Sequence, residues 1–94
     1  LLPAQQCAEK YLKALFEELG IAFPKTHDLD KLLIVIQPHH PTLRSLKRGL
    51  LFLTDFAVDT RYPDNSTNNR QAAAALRWAD KVRTAARLLL GLPL

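Results

Sequence analysis

Glu9 and Lys13 stand four residues apart in the segment Gln5-Gln6-Cys7-Ala8-Glu9-Lys10-Tyr11-Leu12-Lys13, whose apolar residues recur at helical spacing. At that separation a carboxylate and an ammonium meet across one helical turn, while Lys10 points to a neighbouring face. Two roles are open to this set. One is a surface ion pair contributing about 0.2–0.5 kcal/mol. The other is attraction of phosphate oxygens by two lysines acting as point charges beside an apolar seam. A second polar group, Arg61-Tyr62-Pro63-Asp64, lies where a helix must break. Arg and Tyr together can grip a phosphate and stack on a base. In the structural alternative, Arg61 bonds carbonyls at the helix end or pairs with Glu9 or Asp59, and Tyr62 is a core aromatic with its hydroxyl at the edge. His27, opening a short helix, can offer ring and backbone donors to an anion, or can simply tie its loop to the bundle.

Other polar residues carry less. His39 and His40 are adjacent and project in different directions, and Cys7 is the single cysteine, so no metal-ligand spacing repeats and neither a metal nor a cofactor is expected. Asp55 and Asp59 fall four apart near the end of a helix, where the dipole disfavours acids; pairing with Lys or Arg elsewhere is expected over an acid or metal-binding pair. On the last helix Arg70, Arg77 and Lys81 share one stripe, and Arg83 and Arg87 another. A C-terminal position suits Arg83 and Arg87 but leaves Arg70 and Arg77 unexplained. The apolar side of this helix is alanine-rich and lacks the large aromatic anchors of a membrane-surface helix.

These groups must be positioned by helices. Ala8, Tyr11, Leu12, Leu15, Phe16 and Leu19 mark a first helix with Pro3 near its first turn and Gly20 as its left-handed stop. Thr26 or Asp28 can cap a short second helix through Leu29, Leu32, Leu33 and Ile36, ended by Pro38; Ile34-Val35-Ile36 would suit a strand, but no other segment offers it a partner strand. Pro41 opens a third helix with Leu43, Leu46, Leu50, Leu53 and Ala57 as its stripe, widened by Phe52 and Phe56. After the loop Pro63 to Asn69, a fourth helix from about Arg70 to Leu90 presents Ala72, Ala75, Leu76, Ala79, Val82, Ala86, Leu89 and Leu90 on its apolar side and ends at Gly91. Its alanines permit close approach by a neighbour, which places it centrally or at a subunit contact. The expected fold is all-α, an antiparallel up-down helical bundle of about four helices, completed by dimerisation.

Three segments in order, Gln5 to Leu15, Lys25-Thr26-His27-Asp28-Leu29 and Thr60-Arg61-Tyr62-Pro63-Asp64, followed by the Ala-rich helix, resemble HEPN domains, the nucleotide-binding domains of higher eukaryotes and prokaryotes. The resemblance implies a single HEPN-like domain over residues 1–94, a homodimer, and binding of a nucleotide or RNA, often beside a nucleotidyltransferase in a toxin-antitoxin-like pair. Lys10, Lys13, His27, Arg61 and Tyr62 are, by the chemistry given above, the expected nucleotide-binding residues, and the resemblance strengthens that reading of the two lysines. Family members usually carry one more helix before the Gln-Gln segment; here it was cut away, or it is absent and the bundle has an open flank. Some members cleave RNA with an Arg followed four to six residues later by a His, a pair that stabilises charge and transfers a proton. That signature cannot occur here, because the histidines are His27, His39 and His40 and the first arginine is Arg44. No catalytic residue is therefore expected. The alternatives are a non-catalytic dimerisation or interaction module, and a ribonuclease with an atypical site.

Composition sets the frame. A chain of 94 residues with 48% hydrophobic content forms one domain. At that size much apolar surface stays at the rim, which favours pairing with a second subunit. Thirteen Lys and Arg against nine Asp and Glu give a net charge of +4, which favours anionic partners but also lies in the range that solubility alone requires. One cysteine and no apolar run of membrane-spanning length lead to the expectation of a cytoplasmic protein without membrane contact.

Overall fold

Ala8, Leu12, Leu15 and Phe16 fall on one side of a helix and are all fully buried, so the first amphipathic stretch forms as its spacing predicts. The computed structural model describes residues 2–59 and 69–93, with side chains described from Ala4 to Asp55 and from Arg70 to Pro93. Its described residues form α1 (Leu2–Leu19), α2 (Leu29–Ile36), α3 (Lys47–Asp59) and α4 (Asn69–Leu90), with a 3-10 helix, Pro41–Leu46, leading into α3. The molecule is an all-helical, compact globule. Among the described helices, none is long and apolar enough to cross a membrane.

Two glycines end the long helices in the same way. Gly20 (φ 71°) and Gly91 (φ 74°) take the left-handed conformation that a side chain disfavours. After α1, the Gly20 amide donates to the Glu17 carbonyl (3.1 Å) and the Ile21 amide to the Phe16 carbonyl (3.0 Å). After α4 the corresponding bonds are Gly91 to Leu88 (3.2 Å) and Leu92 to Arg87 (2.8 Å). Each pair satisfies carbonyls left over at a helix end.

Asp28 holds the N-cap position of α2 but makes no side-chain capping bond. The expected local cap is replaced by one from another helix. Thr54 Oγ1 on α3 accepts from the Leu29 amide at 3.2 Å and donates to the Leu50 carbonyl at 3.0 Å. Thr26 Oγ1 accepts from the Asp28 amide at 3.0 Å, which tightens the approach to α2. Leu29, Leu32, Leu33 and Ile36 face the core, and the segment is a helix throughout rather than a strand.

The expected continuous third helix is corrected. Residues Pro41 to Leu46 wind as a 3-10 helix before the α-helix begins at Lys47. Residues three apart eclipse in a 3-10 helix, so Leu43 and Leu46 both reach the core there. From Leu46 onward the spacing to Leu50 and Leu53 is that of an α-helix. The predicted contributions of Phe56 and Ala57 lie outside the described side chains.

α4 packs along α1 and against α3 and the 3-10 helix. Ala75, Ala79, Val82 and Ala86 form its buried stripe. Leu76, expected on that side, is 66% exposed. It sits one residue, about 100°, round the helix from Ala75 and so past the edge of the buried stripe. Gly49 on α3 has the opposite significance: a Cβ there would collide with the Trp78 ring of α4, at Cε3 and Cδ2 and at 2.7 Å from Cζ3. The α3–α4 contact is set by indole lying directly on backbone.

Candidate functional site at the α1 corner

Glu9 is the polar centre of the bundle's described part. It is only 7% exposed, as is Gln5 one turn earlier. Its Oε2 lies 2.7 Å from the Lys13 ammonium, the pairing that the four-residue spacing predicts. Its Oε1 and Oε2 lie 3.0 and 3.1 Å from His27 Nδ1, and Gln5 Nε2 donates to Oε1 at 3.2 Å. Gln5 Nε2 also reaches the His27 carbonyl at 3.0 Å. Four side chains and one carbonyl therefore join α1 to the loop that precedes α2.

Burial alone would push the Glu9 carboxyl upward. Hydrogen bonds from Lys13, His27 and Gln5, with the Lys13 charge, outweigh it and hold the group below its ordinary carboxylate value. An ionised carboxylate only accepts hydrogen bonds, so the proton it shares with His27 belongs to Nδ1. The rest of the imidazole, with Nε2, lies in solvent, the side chain being 86% exposed.

The predicted site residues separate into three groups. Lys13 is committed to Glu9 and also lies over the Phe23 ring, 4.8 Å from its centroid. His27 is anchored at one nitrogen and open at the other. Lys10 is exposed and makes no ion pair among the described residues. Beside it on the outer face of α1 is an open depression of about 520 Å³ whose described walls are Gln6, Cys7, Lys10, Tyr11 and Ala14. The Tyr11 hydroxyl accepts from Arg87 Nη1 of α4 at 3.3 Å, which fixes the ring at the edge of that depression. Arg61 and Tyr62 lie outside the described residues.

Gln5 is the residue that sequence reasoning passed over. Its four-residue separation from Glu9 was the available signal, but pairing of an amide with a carboxylate is weaker evidence than pairing of opposite charges. Asp55 corrects another expectation: it is exposed and makes no ion pair among the described residues. It faces water, where a carboxylate needs no partner. His39 and His40 do not join a metal cluster, and no group of three or more His, Cys, Asp or Glu suited to a metal occurs among the described residues.

The architecture defines a class: a small helical domain with a buried carboxylate on its first helix that ties that helix to a histidine-bearing loop. The chain belongs to the HEPN domain family, which it matches over residues 1–89. Neither a curated protein nor a solved structure gives a match.

Proposed function

We propose that this HEPN domain binds a nucleotide, free or as part of an RNA, at the α1 corner, and that it does so without catalysis of its own. The observation that supports this reading best is the division of labour around Glu9. The carboxylate holds Lys13 and His27 in place, and Lys10 beside it stays uncommitted next to the depression bounded by Tyr11. In the proposal Lys10 and Arg61 meet phosphate oxygens and Tyr62 meets the base. Lys13 and the outward side of His27 complete the polar rim. A homodimer and a nucleotidyltransferase partner, both implied by the family resemblance, are part of the same proposal. The exposed Ile34, Val35 and Leu51 of α2 and α3 offer apolar surface for a protein contact.

The test is a titration of the folded protein with AMP, ADP, ATP and a short oligoribonucleotide, followed by melting temperature and by calorimetry. Binding to the native state alone raises its stability by mass action. Lys10→Ala and Arg61→Ala are expected to weaken nucleotide binding about tenfold, equivalent to about 1.4 kcal/mol, with little change in melting temperature. Lys13→Ala is expected to lower the melting temperature instead, since it leaves Glu9 short of its closest partner. Unchanged affinity in both Lys10→Ala and Arg61→Ala would remove the corner as the binding site.

A further inference from the structure

The acidic residues are unevenly distributed. No Asp or Glu occurs between Asp30 and Asp55, and none follows Asp80. The acid-free stretch contains Arg44 and Arg48, one on the 3-10 helix and one on α3. The fold brings this stretch against the middle of α4. Leu46, Leu50 and Leu53 mark the core side of α3, and Thr54 marks its α2 side by capping Leu29. Gly49 lies on the remaining flank, in contact with Trp78, and Arg48 stands just outside it. On α4, Ala75, Ala79 and Val82 mark the core side and Arg87 the α1 side by its bond to Tyr11. Trp78 and Lys81 therefore lie toward α3, with Arg77 at the outer edge.

Arg44, Arg48, Arg77 and Lys81 are all exposed, and none forms an ion pair among the described residues. Lys81 instead lies over the Trp78 ring, 4.8 Å from its centroid. Asp80, the nearby acid of α4, is turned to Arg83, 3.8 Å away. The nearest acid of α3 is Asp55, two turns beyond Arg48 and so about 10 Å along the axis. Two other cations, Lys13 and Lys31, are paired with Glu9 and Asp28, while Lys10, Lys25, Lys47 and Arg70 are exposed and, like the seam cations, form no ion pair among the described residues. Lys81 stands over the half-buried indole, and Arg44, Arg48 and Arg77, exposed on the elements that meet there, add positive potential that favours an anionic partner.

We infer that the α3–α4 seam is a second anion-binding surface, which follows the phosphodiester backbone of a nucleic acid strand. It stands independently of the α1 corner. A corner that takes one nucleotide needs a pocket, whereas a strand needs a row of cations spaced along a surface, and the seam supplies the row. Trp78 has one side on the Gly49 backbone and Lys81 over its ring, so it serves as the floor on which the cations are arranged.

Trp78 is the single tryptophan of the chain, so its fluorescence reports this seam alone. A short oligouridylate is titrated into the full chain at low and at moderate salt. The expected result is a saturable change in Trp78 fluorescence, with affinity falling as salt rises by about 0.7 log units per log unit for each phosphate contacted. Arg48→Glu is expected to weaken binding about tenfold or more and to flatten the salt slope. Lys25→Glu makes the same change in net charge on the loop before α2 and is expected to have a much smaller effect. Circular dichroism verifies that both variants are folded. Equal losses in the two variants, or an absent fluorescence change on binding, would overturn the seam. Competition by polyglutamate as effective as that by oligouridylate at equal charge would overturn the phosphodiester assignment and point to an acidic protein segment. AMP and ATP binding to Arg48→Glu, expected to be unchanged, keeps the seam and the α1 corner distinguishable.

Discussion

Gly49→Ala is the most informative single substitution, because two effects of opposite sign compete and the structure says which wins. Gly49 lies inside the helical run from Pro41 to Asp59 and is not among the glycines with positive φ. On backbone grounds alone, alanine should therefore stabilise by about 0.5–1 kcal/mol. The new methyl would collide with the Trp78 ring, however, and even Cζ3, the third-nearest atom, lies at 2.7 Å. An ordinary carbon contact is about 3.5–4.0 Å and Cε3 and Cδ2 lie nearer still, so the indole must withdraw by considerably more than about 1 Å or α3 must move away from α4. Overpacking of this kind costs about 1–3 kcal/mol. The balance is a net loss of about 1–2 kcal/mol, which in a domain of this size lowers the melting temperature by roughly 5–15 °C. Calorimetry measures it, and the fluorescence maximum of the single tryptophan should shift as the ring is displaced. Trp78→Leu should absorb much of the penalty, so the double variant should be more stable than additivity allows. A melting temperature that rises in Gly49→Ala would refute the close contact and with it the seam geometry.

Two further outcomes follow. Because Glu9 is held below its ordinary carboxylate value, its contribution to stability is present above the unfolded-state value and is lost as pH falls through the lowered folded value. Glu9→Gln should cost on the order of 1–2 kcal/mol at neutral pH, and the gap to wild type should close in acid; denaturant melts across that range check it, and a gap independent of pH would show that the charge is irrelevant. The family resemblance and the small core motivate a homodimer at micromolar concentration, which sedimentation tests directly: a folded monomer at every concentration removes it.

The helices were legible because their signals are local. Apolar spacing from Ala8 to Phe16 and the stops at Gly20 and Gly91 depend only on neighbours in sequence, and each feature stands where it was expected. The Glu9–Lys13 pair was legible for the same reason. What escaped notice is tertiary. Nothing near Gly49 in sequence announces Trp78, and nothing near Leu29 announces Thr54. Leu76 shows the limit of periodicity, since its spacing from Ala72 is helical but burial depends on where the neighbouring helices stop. The split between the 3-10 and α segments at Leu46 was hidden because leucines at positions 43, 46, 50 and 53 satisfy a helical pattern of either kind.

The bond from Leu29 to Thr54 also shows how far α2 leans on its neighbour. Eight residues are too few for a helix to persist alone in water, and the amide at the head of α2 finds its acceptor on α3 rather than within its own segment. α2 therefore depends on contacts outside its own segment: unwinding of α3 would take away both the acceptor of the Leu29 amide and part of the surface on which Leu29, Leu32, Leu33 and Ile36 are buried.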